Sequence, residues 1–321
     1  MSSMADSQDK VEVKLPDGST REVARGSTLM DLAREIGPGL AKAALGGKIN
    51  GQLVDLSSPI TEAADVQLVT WKDEEGREMF RHTSTHIMAQ ALKRILPDAK
   101  LTVGPPLADS YYYDFDVKEP LTPEMLEKIE AEMARIVDEN LGLERIEVPR
   151  EEAIRLFTEK NEPYKLEIIE GLPDESTISL YKQGEFVDLC RGPHIPSTSY
   201  VKALKLLTVS GCYWRADANN QVLQRVYGTS FPDKKQLAEH LRILEEAKKR
   251  DHRRIGKDLD LFSFQDEGPG FPFFHPNGMV IYNEISNFIR SELAKRDYVE
   301  IMTPIILNDD LWHKSGHFEH Y

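Results

Sequence analysis

Two histidines one helical turn apart, His82 and His86, stand in the stretch Phe80-Arg-His-Thr-Ser-Thr-His-Ile-Met-Ala-Gln-Ala-Leu-Lys-Arg-Ile95. A second stretch, Asp188-Leu-Cys-Arg-Gly-Pro-His194, supplies a thiol at Cys190 and another imidazole at His194. Three imidazoles and a thiol are donors of the type that a tetrahedral zinc site uses. The first pair lacks the glutamate of the His-Glu-x-x-His metalloprotease helix, and the second sits on a Gly-Pro loop. The competing chemistry is a metal-free hydrolytic pocket, in which a neutral imidazole takes a proton from water or a hydroxyl near pH 7. Cys190 as a nucleophile ranks lower, because no fixed base is evident beside it. Scattered surface histidines are the bland alternative, and the four-residue coincidence weighs against it.

The elements that must hold these groups follow from periodicity. At ~100° per residue, Phe80, Ile87, Met88, Ala91 and Ile95 gather on one side of a helix and the two histidines point away from it. Lys72 to Glu78 reads as a charged connector into that helix. Upstream, residues 11–23 alternate on both sides of Pro16-Asp17-Gly18, the pattern of a hairpin. Thr28 is an expected N-cap with Asp31 completing a capping box, and Gly37 with Pro38 stops the helix. Short strands are expected around Ala43, Ile49 and Val54 and over Val66 to Trp71. Hairpin, helix and returning strands suggest a small β-grasp unit. Downstream, Thr122 and Pro123 open a helix to about Asn140. Strands are expected at 110–117, 145–149, 177–181, 204–214 and 221–227, an α+β arrangement on an antiparallel sheet.

Residues 233–257 carry nine Lys or Arg against five acids, on a helical spacing of Leu237, Leu241 and Leu244. Such a run is either a solvated face or a contact for RNA phosphates. A turn-rich loop at 267–278 precedes a helix bearing Ile281, Ile285, Phe288, Ile289 and Leu293, and Tyr298 to Pro304 reads as a strand. The chain has 321 residues, a formal net charge of −14 and two cysteines. That balance excludes a disulfide framework and a globally basic nucleic-acid binder. Neither a signal peptide nor a run of ~20 apolar residues is present, so a cytoplasmic protein with no membrane contact is expected.

The ordered series Arg81-His-Thr-Ser-Thr-His86, Tyr112-Tyr-Asp-Phe-Asp116, Tyr164-Lys165, Val187-Asp-Leu-Cys-Arg-Gly-Pro-His194, Tyr213-Trp-Arg-Ala-Asp217, Leu223-Gln-Arg-Val-Tyr-Gly228 and Lys249-Arg-Asp-His-Arg-Arg-Ile-Gly-Lys257 resembles the threonyl-tRNA synthetases, which are class II aminoacyl-tRNA synthetases. The resemblance runs from about Val11 to Tyr321. It implies a disordered N-terminus at 1–10, a ubiquitin-like TGS domain at 11–72, an editing domain at 73–233 and a linker helix at 234–255. Residues 256–321 would open the antiparallel catalytic domain, with the helix at 279–296 and the strand ending at Pro304 as the dimer-forming motif 1. It further implies an editing pocket of His82, His86, Cys190 and His194 that removes serine from seryl-tRNA(Thr), with Lys165, Asp188 and Tyr113 as its polar companions. On this reading His82 and Lys165 position and activate water, and Asp188 and Tyr113 hold the seryl amine and hydroxyl.

The resemblance also implies tRNA(Thr), threonine and ATP as partners and a homodimer for the complete enzyme. The ATP/Mg and Zn sites would lie beyond Tyr321, and His313, His317 and His320 match no ligand of that zinc. The 321-residue chain is therefore expected to edit without forming threonyl-adenylate. Two other functions remain open: a freestanding deacylase acting in trans, and a non-catalytic module that binds RNA or a partner through its N-terminal domain.

Overall fold

The computed structural model describes residues 9–173 and 176–320. Most of the expected disordered N-terminus lies outside the described residues, and Lys10 already pairs within the first strand. The chain divides into two compact units, 1–241 and 242–321.

The first unit opens with the hairpin β1 (Lys10–Lys14) and β2 (Thr20–Ala24), antiparallel across the Pro-Asp-Gly turn. Helix α1 (Leu29–Ile36) is capped by Thr28 and Asp31, each side chain serving the other's backbone N–H, as expected. A short helix α2 (Pro38–Ala43) then uses Pro38 as its first residue. Ala43 therefore ends a helix, and β3 (Ala44–Ile49) starts one residue later than expected. The proline that stops α1 has the backbone angle of a helix start, so it reopens the helix. β4 (Gln52–Val54) and β5 (Ala64–Thr70) complete a five-stranded mixed sheet in the order β2-β1-β5-β3-β4, with β1 and β5 parallel. Val11, Val13, Leu29, Leu32 and Val66 fill the core between this sheet and α1. This is a β-grasp module.

Helix α3 (Glu74–Ile95) runs through the stretch expected to be a connector. Glu74 and Glu75 occupy its first turn, where acids favour the helix dipole, so these charges begin the helix. From Met79 to Leu92 nearly every side chain is buried, polar ones included, because α3 is surrounded on several sides. Next come β6 (Lys100–Leu101), β7 (Tyr111–Asp116), α4 (Pro123–Asp138), β8 (Leu143–Val148), α5 (Arg150–Glu159) and α6 (Pro163–Glu170). The strands β9 (Ile178–Gln183), β10 (Phe186–Leu189), β11 (Ala203–Tyr213) and β12 (Val222–Phe231) follow. They form two antiparallel sheets, β10-β9-β8 and β11-β12-β7-β6. Ile87, Met88 and Leu92 of α3 pack with Tyr111, Phe115, Ile129 and Met133 in the main core.

The expected linker helix is two helices: α7 (Lys234–Lys249), which crosses the division between the units, and α8 (His252–Asp258). Asp251 caps the second from its side chain, which ends the first. The second unit also contains the two-residue strands β13 (Phe262–Ser263) and β14 (Phe273–Phe274), α9 (Pro276–Ala294), α10 (Asp310–Lys314) and α11 (His317–His320). The loop expected to run to Gly278 thus ends in β14 and at Pro276 of α9. The strand expected at 298–304 is not formed, and Pro304 lies in exposed irregular chain. Its β-favouring residues pair with no strand among the described residues. β-propensity without a pairing partner does not make a strand.

Candidate functional site

Three pieces of chain meet at the site. Helix α3 presents His82 and His86 one turn apart on one face. The end of β10 supplies Asp188, and the loop after it supplies Cys190 and His194. Gly192 turns that loop with φ +70°, and a Cβ there would fall on the Tyr181 hydroxyl, so both backbone and space require glycine. Helix α6 contributes Lys165 from its first turn.

The four His/Cys side chains converge: their ligating atoms all lie within 4.8 Å of one another. Cys190 Sγ is 3.3 Å from Nε2 of His82 and 3.3 Å from Nε2 of His194, and it accepts from the Gly192 N–H. The His194 ring stacks on His82 and tilts against His86, with centroids 4.2 Å apart in both cases. Thr83 fixes the His194 tautomer. Its single hydroxyl hydrogen goes to the Met79 carbonyl at 3.0 Å, so its oxygen accepts from His194 Nδ1–H at 3.0 Å. That leaves the His194 Nε2 lone pair toward the Cys190 sulfur. A ring N–H of His82 donates to the Pro193 carbonyl.

Burial then decides the charge of this group. It pushes His82 down to about 4, against the opposing effects of the Pro193 carbonyl and Asp188. It pushes His86 down to about 3 although Asp188 lies 3.9 Å away, and drives His194 well below the ordinary range with help from the other two imidazoles. Burial also pushes the Cys190 thiol up to about 12. Near neutral pH the cluster is three neutral imidazoles around a protonated thiol. A thiol held that high is a poor nucleophile.

A second, charged group adjoins it. Lys165 Nζ lies 2.6 Å from Asp188 Oδ1 and donates to the Tyr113 hydroxyl at 3.0 Å, and that hydroxyl donates to Asp188 Oδ2 at 2.8 Å. The Leu189 N–H also donates to Oδ1 at 2.8 Å. All three residues are no more than 2% exposed. Burial alone would raise the Asp188 carboxyl, but Lys165, with His86 and Tyr113, outweighs it and holds the group below the usual range. Burial and the neighbouring carboxylate raise Tyr113, so it stays a phenol and a donor. Lys165 and Cys190 both line a cavity of about 420 Å³ together with Val103, Ile168, Ser179 and Arg191.

The structure thus brings His82, His86, Cys190, His194, Lys165, Asp188 and Tyr113 into one place, and Pro304, in the second unit, belongs to no strand. Sequence reasoning missed three supports. Glu162, 3% exposed, accepts from Lys93 Nζ of α3 and from the Leu101 N–H, both at 2.8 Å, and so anchors the start of the helix that carries Lys165. Pro163 in the first turn was the available signal for that helix. Thr83 orients His194, and the Tyr181 ring meets the same imidazole in a T-shaped contact with centroids 4.4 Å apart. No helix among the described residues is long and apolar enough to cross a membrane.

The fold is a β-grasp module joined to an α+β module of two antiparallel sheets that holds the pocket. Residues 11–70 match the TGS domain family, and residues 178–227 match the threonyl and alanyl tRNA synthetase second additional domain. The chain is homologous to threonine–tRNA ligases nearly from end to end. It is 55% identical to that of Clostridium tetani over 97% of its own length and 49% of the relative's. It is 54% identical to that of Desulforamulus reducens over 97% and 49%, and 52% identical to that of Caldanaerobacter subterraneus subsp. tengcongensis over 100% and 50%. The chain spans about half the length of the curated relatives it matches.

Proposed function

We propose that the pocket hydrolyses the ester of mischarged tRNA, removing serine from seryl-tRNA(Thr), in the service of a threonine–tRNA ligase. The observation that carries this reading is the charged group of Lys165, Asp188 and Tyr113 beside a neutral histidine cluster, with Lys165 and Cys190 opening on one cavity. One methyl group separates threonine from serine and is worth only ~1–3 kcal/mol of discrimination, so charging alone cannot reject serine and a second site has to. In that site His82, kept neutral by burial, accepts a hydrogen bond from water. Lys165, already ion-paired, acts as a donor that positions water or the ester oxygen and not as a base. Asp188 Oδ2, with His86 3.9 Å away, receives the seryl amine, and the Tyr113 hydroxyl marks the place of the serine hydroxyl. Water adds to the carbonyl carbon, the ester C–O bond breaks, and the ribose oxygen leaves with the proton that water gave up. Positioning accomplishes most of this, and no covalent nucleophile is needed.

The partners that follow are tRNA(Thr), threonine and ATP with magnesium, in the cytoplasm. A homodimer would be built through α9 and the segment at Pro304. Loss of serine from seryl-tRNA(Thr) tests the reading. His82→Ala and Lys165→Ala should each slow it at least ~100-fold, and full activity in both would overturn it.

A second reading has its own observation. His86 Nδ1 is buried without a hydrogen-bond partner among the described residues, beside two imidazole nitrogens that face one sulfur. His82, His86, Cys190 and His194 would suit a zinc ion, and the N–H contacts of His82 and His194 are of the kind that orient metal-bound imidazoles. With three of the four as ligands and a water in the remaining position, zinc there would lower the pKa of that water. Stoichiometric zinc in protein purified without added metal, with deacylation abolished by a chelator, would favour this reading over the metal-free one.

A further inference from the structure

Asp55 follows β4 in the β-grasp module, 139 residues before His194 in sequence, yet its carboxylate is spent on the pocket. Oδ1 accepts from the His194 backbone N–H at 2.7 Å, and Oδ2 accepts from the Tyr181 hydroxyl at 2.7 Å. These two bonds fix two things at once. The first sets the backbone at the end of the Cys190–His194 loop. The second sets the Tyr181 ring, which meets the His194 imidazole edge to face with centroids 4.4 Å apart and whose hydroxyl occupies the space above Gly192. Tyr181 also pairs across the strands with Asp188, so the same contact touches the strand carrying the charged group. A carboxylate accepting two hydrogen bonds, one of them from backbone, is a strong and directional clamp.

Other contacts between the two modules are of a different kind. Lys48 meets Glu75 at 2.6 Å, and Met79 packs over Gly46; both hold α3 to the β-grasp sheet without touching the loop.

We propose that Asp55 is a positioning residue for the hydrolytic pocket: the N-terminal module completes the site by clamping the His194 backbone and Tyr181, so that His194, Cys190 and His82 keep their mutual geometry. The proposal rests on the hydrolytic reading of the pocket, and its test includes a readout that does not depend on it. The chain with Cys212→Ser leaves Cys190 as the single thiol.

In that background, Asp55→Ala should lower the saturating rate of seryl-tRNA(Thr) deacylation about 30-fold or more, with the KM for the tRNA within twofold. Asp55→Asn keeps one acceptor for the His194 N–H but faces the Tyr181 hydroxyl with an N–H or a misplaced oxygen, so it should fall between Ala and wild type. Lys48→Met removes an inter-module ion pair away from the loop and should deacylate at the wild-type rate. Alkylation of Cys190 by iodoacetamide should quicken about tenfold in Asp55→Ala and stay unchanged in Lys48→Met, whether or not the protein hydrolyses seryl-tRNA.

Deacylation and alkylation both within twofold of wild type in Asp55→Ala would overturn the proposal. So would equal losses in the Asp55 and Lys48 variants, which would make the effect general docking. Wild-type chain without deacylation would sink the hydrolytic reading alone, and alkylation would still decide the clamp.

Discussion

The pocket has two halves that solve burial in opposite ways. Lys165, Asp188 and Tyr113 keep formal charge out of water by pairing it, and the Asp188 oxygens are filled by Lys165, Tyr113 and the Leu189 N–H. His86 and His194 are as deeply placed and His82 and Cys190 are half-buried, but their charge is removed instead: burial leaves each imidazole neutral, with a single ring proton, and the thiol protonated. The first half is a fixed dipole with donors to spare. The second is a set of neutral ring nitrogens and a thiol, and one of those nitrogens, His86 Nδ1, has no hydrogen-bond partner among the described residues. On the proposed reading, a substrate bearing an ammonium, a hydroxyl and an ester has a complement for each across the two halves. The difference predicts that they fail under different insults.

The largest effect comes from breaking the charged half. Lys165→Met strands the Asp188 carboxylate among buried groups, and removing one partner of a buried pair costs about 3–5 kcal/mol. Urea unfolding at pH 7 should show that loss, with deacylation abolished. Adding Asp188→Asn to Lys165→Met should recover most of the stability and none of the activity. If Lys165→Met unfolds at the wild-type urea concentration, the pairing contributes nothing and the comparison collapses.

Acid should break the neutral half first. The unfolded chain protonates its histidines near pH 6.5, whereas folded His82 and His86 resist until about 4 and about 3. Their folded values lie below the unfolded one, so the unfolded state binds more protons in this window, and stability is full above pH 6.5 and drains as pH falls. At about 1.4 kcal/mol per unit for each group, the pair should cost roughly 3 kcal/mol between pH 8 and pH 5.5. Asp188, held low, loses its contribution only below the usual carboxylate range. Asp55, which burial pushes up, works in the opposite sense, gaining stability on acidification. A urea midpoint that stays level from pH 8 to 5.5, with His86→Asn behaving like wild type, would show that these imidazoles are not held neutral.

The two halves also differ in how far the sequence discloses them. His82 and His86 are legible because one helix carries both, and Cys190 and His194 because one loop does. The capping box at Thr28 and Asp31 is legible for the same reason: all its information lies within four residues. The supports are not. Glu162, Tyr181 and Asp55 act across 61, 13 and 139 residues of chain, and nothing local marks a glutamate or an aspartate as an inward clamp. The misread elements share a cause as well. Glu74 and Glu75 look like a solvated connector until their place in the first turn of α3 is known. Residues 298–304 look like a strand until pairing is asked for. Local composition records preference, and the long-range partner decides.

A milder change sharpens the boundary between the halves. Tyr113→Phe removes one donor from Asp188 Oδ2 while Lys165 and the Leu189 N–H remain on Oδ1. A hydrogen bond to a charged group contributes about 1.5–3 kcal/mol, and part of that should be lost in a urea titration at pH 7. If Tyr113 marks the place of the serine hydroxyl, the deacylation defect should exceed the stability defect when both are expressed as free energy. Equal losses would assign Tyr113 to the scaffold alone.

The smallest expected effect separates the chemistries of the neutral half. Cys190 carries its proton to about pH 12, so in the metal-free pocket it fills space and orients two imidazoles without attacking the ester. Cys190→Ser keeps a donor and an acceptor near the same point in a smaller atom. Deacylation should then fall by less than about tenfold, with no burst of covalently held serine in either protein. In a zinc site the same substitution exchanges a thiolate ligand for a weak hydroxyl, and metal content and activity should fall together. A nucleophilic thiol would instead give total loss with a trapped seryl thioester in wild type. The three outcomes are distinct, and each assigns the lone pairs of His82 and His194 to a different use: a water, a metal, or the proton of a reacting thiol.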